Sequence, residues 1–134
     1  MTLRSGRTTL RVRYAETDRM QVTYYANYLV WFEVARTELM RDAGYSYRRL
    51  ESEGISLPII RGEYALHAPS HYDDELVIDT RIVELRTRRV IFAYEVRRGD
   101  VLVATGSTTH VPVDASRHVV MLPDAVRAAM TTAD

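Results

Sequence analysis

A long amphipathic helix, accompanied only by alternating segments, constrains the fold of this chain more than any other feature. Between Asn27 and Ala43, apolar residues recur at intervals of three and four, the spacing of one helical face. Asn27 can cap the start of this helix, and Gly44 can close its end. Further apolar residues flank the stripe, so we expect the helix to be surrounded on several sides. The flanking residues are Leu29, Val30, Trp31, Val34 and Met40.

The segments before and after the helix have the period of β-strands. Residues 8–14 alternate, with Leu10, Val12 and Tyr14 on one side, which predicts a half-buried strand. A short polar helix ending at Gly54 follows the long one, and the period is two from there on. The later predicted strands cover residues 57–69, 75–85, 88–98 and 101–113.

Turn residues set the connections between these strands. Gly99-Asp100 is a tight hairpin signal, and Gly62 inside a strand indicates a bend or bulge. Residues 122–130 form at most a short helix. One strand, one long helix and then four strands is an α+β pattern with an antiparallel sheet. The chain of 134 residues fits a single domain over residues 1–134.

Composition narrows the classes of function. The formal net charge is zero, which argues against a nucleic-acid partner bound through its phosphates. There are no cysteines, so disulfides, zinc–cysteine sites and thiol nucleophiles are excluded. The N-terminus lacks the apolar region of a secretory signal, and no stretch is long enough to span a membrane. We therefore expect a cytoplasmic protein.

Asp18 is the leading candidate for catalysis. It lies in a polar turn just before the long helix, among Tyr14, Tyr24, Tyr25 and Tyr28. A carboxylate in such a turn often only accepts backbone hydrogen bonds. Asp18 could equally be a general base or a nucleophile, since the free N–H groups at a helix start can stabilise an oxyanion. Two residues earlier, Glu16 is interpreted as a solvated surface residue.

Other candidate residues are weaker. His67 and His71 lack the helical spacing of metal ligands, so we expect no metal site, and His110 is interpreted as a packed residue. Neither a nucleophile elbow nor a glycine-rich phosphate loop is present. The run Arg86-Thr87-Arg88-Arg89 joins two strands, either as a solvated turn or as a fork for the phosphates of a nucleotide.

The segment "RVRYAETDRMQVTYYANYLVWFEVARTELMR" resembles the signature of the hotdog-fold acyl-CoA thioesterases, in particular the 4-hydroxybenzoyl-CoA thioesterase and YbgC-like branches. The family pattern has Y-x-x-T-D, then A-N-Y, then a helix with F-E-x-A-R-T-E. A second segment, "HAPSHYDDELVI", resembles the family's A-P-A-x-Y-D-D-x-L. The resemblance implies a five-stranded antiparallel sheet wrapped around one long central helix. It also implies a homo-oligomer, a dimer or a tetramer, with active sites at the dimer interface.

The resemblance also implies roles for individual residues. Asp18 matches the catalytic carboxylate, and Tyr25 stands where a backbone N–H polarises the thioester carbonyl. Gln21 replaces a glycine that the family usually has there, and Arg88 and Arg89 lie near the nucleotide-contacting region. The remaining substrate-binding positions implied by the match are Tyr14, Thr17, Tyr24 and Asn27.

The implied activity is hydrolysis of an acyl-CoA, or of an acyl group on acyl-carrier-protein, to a free acid and a thiol, without cofactor or metal. Asp18 acts either as general base or as nucleophile, and the acyl group stays open. One alternative is a hotdog hydratase or dehydratase, but that chemistry needs a histidine and none lies between Tyr14 and Met40. Another is a non-catalytic acyl-CoA or acyl-carrier-protein binding module, although a pure binder gains little from a buried carboxylate.

Overall fold

A computed structural model describes residues 2–132, so Met1, Ala133 and Asp134 of the predicted domain lie outside the described residues. The long helix and the main strands follow one another in the order that the sequence predicts. In chain order the elements are β1 (Thr2–Leu3), β2 (Ser5–Arg11), α1 (Asn27–Asp42), α2 (Tyr47–Ser52), β3 (Ile59–Leu66), β4 (Glu75–Arg86), β5 (Arg89–Arg98), β6 (Val101–His110), α3 (Asp124–Ala129) and β7 (Thr131–Thr132).

Five strands form one antiparallel sheet in the order β2-β4-β5-β6-β3. The α+β class, the antiparallel sheet and the hairpin at Gly99, whose φ is +56°, are therefore confirmed. In addition, β1 and β7 pair as a small second sheet that the sequence did not predict. Two-residue strands are too short for an alternating pattern to reveal them.

The helix α1 packs on one face of the sheet through its predicted stripe. Tyr28, Phe32, Ala35 and Leu39 are all buried. The Phe32 ring stacks on the Tyr94 ring of β5, with centroids 4.2 Å apart and planes only 6° from parallel. Such close packing requires Gly106 on β6, because a Cβ there would lie 2.5 Å from the Phe32 ring. The apolar face of α1 and the inner face of the sheet thus pack against each other through stacked aromatic rings.

Other parts of the helix prediction need correction. Leu29, Val30 and Val34 stay 38%, 46% and 39% exposed, so a single chain does not surround the helix on several sides. Gly44 closes the helix with φ +85°, as predicted. The start differs, because Asn27 is already the first helical residue and its side chain does not cap α1. Its amide instead donates to two backbone carbonyls that precede it in the chain.

The first main strand also ends earlier than predicted. It stops at Arg11, and Tyr14–Glu16 form a single 3-10 turn that leaves Tyr14 78% exposed. The chain turns there because the Glu16 carboxylate accepts the N–H of Arg13 at 2.7 Å. Gly62 pairs regularly with Thr108, whereas the register shift lies between Ile59 and Arg61. No helix within residues 2–132 combines the length and apolar character needed to cross a membrane.

Candidate active site

Asp18 sits at the head of a tight loop that precedes α1. Thr17 and Thr23 face each other across the loop in an isolated antiparallel bridge. The Asp18 N–H donates to Val22, and its carbonyl accepts from Gln21 at 2.9 Å. One carboxylate oxygen, Oδ1, accepts the N–H of Met20 at 2.8 Å. Within the described residues, Oδ2 has no hydrogen-bond partner, so half of the carboxylate stays available to a ligand.

Gln21 takes the backbone conformation that a glycine would take without strain. Its φ is +67°, in the left-handed region, which costs a non-glycine residue about 1–2 kcal/mol. The positive φ at Gln21 is thus a conformation that the family's glycine would take without strain. The exposed Gln21 side chain also lines the same surface depression as Asp18.

This depression is open to solvent and has a volume of about 700 Å³. Two aromatic rings form one wall, since Tyr14 and Tyr72 lie with centroids 5.6 Å apart. Thr17 is also in the lining, although its hydroxyl donates to the Tyr14 carbonyl at 2.7 Å. Besides Asp18, the lining comprises Tyr14, Thr17, Arg19, Gln21, His71 and Tyr72. Three of the predicted substrate-binding residues thus meet Asp18 here.

Glu16 was predicted to be a solvated surface residue, and this was wrong. Only 4% of it is exposed, and its two carboxylate oxygens accept from the Arg13 N–H and from the Trp31 ring N–H at 2.8 Å. Burial alone raises the pKa of Glu16, but these hydrogen bonds and the Arg13 guanidinium outweigh it and hold the pKa below its usual value. Glu16 therefore stays ionised and ties the Asp18 loop to α1.

A buried hydroxyl cluster ties the other side of the loop to the segment before β4. Ser70 is fully buried, and its Oγ lies 2.6 Å from Thr23 Oγ1 and 2.8 Å from the Tyr28 hydroxyl. The Ser70 carbonyl accepts the N–H of Thr23 at 2.8 Å. Burial raises the pKa of the Tyr28 phenol, so this group remains protonated as part of the cluster. The loop is thus held rigidly from two sides.

Free backbone donors mark the start of α1. Among residues 2–132, the N–H groups of Tyr25 and Ala26 have no hydrogen-bond acceptor, whereas the Asn27 N–H bonds to the Tyr24 carbonyl. Tyr24 and Tyr25 are half exposed, and their rings pair with centroids 4.6 Å apart. The Asn27 amide is occupied by the Glu16 and Tyr24 carbonyls, so it secures the helix start. Tyr24, Tyr25 and Asn27 are not in the lining of the Asp18 depression.

The fold brings an imidazole to the depression that sequence reasoning missed. His71 lines it, and the ring Nδ1 lies 3.6 Å from the Asp74 carboxylate. The backbone N–H of His71 donates to the same carboxylate. Arg98 approaches Asp74 at 3.4 Å from β5. No histidine lies between Tyr14 and Met40, but the second matched segment, "HAPSHYDDELVI", contains His71 and gave the signal for it.

Arg88 and Arg89 are not brought together with Asp18 in one chain. They lie at the far end of β4, whereas the Asp18 depression borders the residues just before its first residue, Glu75. A strand of this length spans about 36 Å. Arg89 also pairs with Glu84 at 2.7 Å, while Arg88 is exposed and has no ion pair among the described residues.

Comparisons with known proteins place the chain in a family. The family model described as the thioesterase-like superfamily matches residues 12–130. YneP of Bacillus subtilis (strain 168) is 35% identical over 106 residues, which cover 78% of this chain and 77% of that protein. The acyl-CoA thioester hydrolase YbgC of Escherichia coli O6:H1 is 32% identical over 87 residues, covering 65% of each chain.

A solved structure agrees with these relatives. The DHNA-CoA thioesterase of Staphylococcus aureus has 30% sequence identity and a TM-score of 0.86, and the match covers 88% of this chain and 80% of that one. The resemblance predicted from the two sequence motifs is therefore confirmed, as is the hotdog fold. The chain belongs to the thioesterase-like superfamily, to which residues 12–130 match.

Proposed function

We propose that this protein hydrolyses an acyl-CoA thioester, with Asp18 as the catalytic carboxylate. Water adds to the thioester carbonyl, the carbon–sulfur bond breaks, and the products are a carboxylate and the thiol of coenzyme A. The observation that carries the proposal is the free Oδ2 of Asp18 in an open depression, in a chain whose family members are thioesterases. The same proposal places the enzyme in the cytoplasm, where coenzyme A thioesters are made and used.

Asp18 can act in two ways that both fit this geometry. As a general base, Oδ2 takes a proton from the attacking water. As a nucleophile, Oδ2 attacks the carbonyl carbon and expels the thiolate, and water then hydrolyses the mixed anhydride. In both cases Oδ1 is held by the Met20 N–H, which fixes the direction of Oδ2.

The helix start is the proposed site for the carbonyl oxygen. Negative charge develops on this oxygen in the transition state, and unpaired N–H groups at a helix N-terminus stabilise it. The Tyr25 N–H is such a group, and Ala26 offers a second one. The Tyr25 side chain is not required for this role, because the donor is the backbone.

We propose that a second copy completes the site. β3 is an edge strand, and it leaves Ile59, Ile60 and Leu66 between 44% and 59% exposed. An edge with exposed apolar residues favours pairing with another strand, so two sheets can join through β3. The exposed apolar face of α1 around Val30 and Val34 then offers a contact between dimers, which fits a homotetramer. Sedimentation showing an active monomer would contradict this assembly.

The activity is tested by following thiol release from a panel of acyl-CoA thioesters. The panel contains aromatic, short aliphatic and long aliphatic acyl groups, each also attached to acyl-carrier-protein. We expect release from at least one thioester at a rate far above that in buffer. A hydratase would change the acyl group without releasing thiol, and a binding module would retain the thioester unchanged. Either result would refute the proposed hydrolysis.

A further inference from the structure

A second cavity lies along α1, away from the Asp18 depression. Its volume is about 240 Å³, and it is lined by α1 between Glu33 and Met40, by Tyr47 of α2, by Leu57 and by the inner faces of β5 and β6. Arg36, its central residue, follows Asn27 by nine positions and hence by about 13.5 Å along the helix. The two sites share no lining residue.

Arg36 places an uncompensated cation in this cavity. Its Nη1 is buried and has no hydrogen-bond partner among residues 2–132. No carboxylate oxygen in this part of the chain lies within 4.0 Å of the guanidinium. Arg36 is partly buried and hydrogen-bonds the neutral Tyr94 hydroxyl, so it lacks the negatively charged partner that a buried cation normally has. The exposed Glu33 also lines the cavity but makes no ion pair with Arg36.

The neighbours of Arg36 do not neutralise it. His110 lies in the cavity wall, and its Nδ1 donates to the Leu57 carbonyl at 2.9 Å, because a carbonyl can only accept. Nε2 then accepts from Thr108 at 2.8 Å, and Thr108 accepts in turn from the Tyr94 hydroxyl at 2.6 Å. Burial, only partly offset by the bond to the Leu57 carbonyl and helped by the Arg36 charge, lowers the pKa of His110 to about 4. The part of the wall that His110 forms is therefore neutral at neutral pH.

Three further lining residues are apolar, and the cavity is large enough for a ring. Met40, Leu57 and Phe92 are buried and form this part of the wall. An apolar cavity of about 150 Å³ already admits benzene, so 240 Å³ leaves room for a ring and a carboxylate. The Tyr47 oxygen accepts the Leu57 N–H at 3.0 Å, which leaves its own proton free to donate.

We propose that this cavity binds a small monocarboxylate with an apolar body of about ring size. The carboxylate pairs with the Arg36 guanidinium, whose planar fork matches two carboxylate oxygens, and accepts a hydrogen bond from Tyr47. The apolar body packs on Phe92 and Leu57. This site does not depend on the proposed hydrolysis at Asp18, because a binding measurement reports on it without any turnover.

The test is calorimetric titration of the full-length protein with benzoate, benzamide and inorganic phosphate. We expect benzoate to bind, and both neutral benzamide and phosphate to bind at least about tenfold more weakly, since each lacks one of the two features. Equal binding of benzamide would show an apolar pocket without a role for the charge. Tighter binding of phosphate would show an anion site of another class. Either result overturns the proposal.

Variants locate the bound benzoate. Arg36→Gln should weaken binding about tenfold or more, and Arg36→Lys should keep part of it because the charge remains. Arg41→Gln is the matched control, since Arg41 lies on the same helix, is exposed and pairs with Glu38. Benzoate binding that survives in a folded Arg36→Gln protein would place the ligand elsewhere and refute the site.

Glu33 gives the last control. If wild-type protein fails to bind benzoate whereas Glu33→Gln binds it, Glu33 itself supplies the carboxylate for Arg36 in solution, and the proposal is wrong. Equal affinity of wild type and Glu33→Gln supports a free guanidinium. If benzoate binds and thiol release fails, the cavity proposal stands while the proposed function falls, so the two are separable.

Discussion

The depression at Asp18 and the cavity at Arg36 differ in how much of each site one chain supplies. The Asp18 site is a loop on an open surface, with a free carboxylate oxygen and a single aromatic wall, and the free N–H donors at the start of α1 lie outside its lining. The Arg36 site is built on regular elements and is enclosed on most sides by one chain. The Asp18 site has a reactive carboxylate but is open to solvent, whereas the Arg36 site is more enclosed but has no negative charge paired with its cation.

This difference has a physical reason. A catalytic carboxylate has to meet water and a large substrate, so it is placed on a loop that a rigid frame positions. Here the frame is Glu16 on one side and Ser70 on the other. A cavity between α1 and the sheet is shaped by core packing instead, and it can hold only a small ligand. The comparison predicts that the first site governs turnover and the second governs binding of small acids.

The largest expected effect comes from Asp18→Asn. An amide cannot act as base or nucleophile in this step, so kcat should fall about 100-fold or more while the fold is retained, a loss of about 2.7 kcal/mol or more. Thiol release measures the rate, and circular dichroism checks the fold. Asp42→Asn, the same change at an exposed position on α1, should leave kcat unaltered. A kcat for Asp18→Asn within tenfold of wild type would end the assignment.

The next expected effect is a pH dependence of the free energy of unfolding, which arises at the buried cavity and not at the exposed loop. The folded pKa of His110 is about 4, against an ordinary value of 6.5, so between these values the unfolded chain binds more protons than the folded one. The contribution of His110 to the free energy of unfolding is therefore fully present above about pH 6.5. It is lost as the pH drops towards 4, by up to about 3 kcal/mol. Urea unfolding at several pH values measures this slope. His110→Gln should flatten it, whereas the exposed His118→Gln should not.

A smaller effect tests how the Asp18 loop is held. In Glu16→Gln, an amide NH₂ replaces one oxygen and faces either the Arg13 N–H or the Trp31 N–H, so one buried donor loses its acceptor. We expect the free energy of unfolding to drop by about 1–3 kcal/mol and kcat to fall with it. Glu75→Gln is the control, because Glu75 is exposed and pairs with Arg11 on the surface. Equal unfolding midpoints for the two variants would contradict a structural role of Glu16.

The sequence predicted most of the frame because the frame has a period. The stripe of α1 and the alternation of β4 and β5 each belong to elements of ten or more residues, so local pattern and tertiary burial agree there. Glu16 was mispredicted because the alternation of the preceding strand was extended through Tyr14. The bond from the Arg13 N–H to Glu16 turns the chain, and the Glu16 carboxylate is buried because it also accepts from the Trp31 ring, fifteen residues later, a contact that leaves no local signal.

Contacts between distant parts of the chain also create the surroundings of His71 and Arg36, whose roles the sequence did not predict. His71 lines the same depression as Asp18 because Ser70 pairs with Thr23, a contact across 47 residues. Arg36 reads as an ordinary polar residue of an amphipathic helix, and its lack of a partner is visible only in three dimensions. The Asp18 loop itself was predicted correctly as a turn before the helix, because polar turn residues and the helix start are both local features.

The smallest effect concerns whether a second copy covers the Asp18 site. Arg88 and Arg89 follow the far end of β4, a strand about 36 Å long whose other end borders this site, so they can hold the phosphates of coenzyme A there only if they come from a partner subunit. In that case Arg88→Ala with Arg89→Ala should raise KM for acyl-CoA several-fold and leave kcat nearly unchanged, since phosphate contacts bind ground state and transition state alike. Arg88 should contribute more, because Arg89 already pairs with Glu84. The effect should vanish with a short thioester that lacks the nucleotide and weaken as salt rises.

Arg41→Ala with Arg48→Ala removes the same charge elsewhere and controls for net charge. An unchanged KM at low salt would show that the turn is only solvated and that other cations, such as Arg19 in the depression itself, hold the nucleotide.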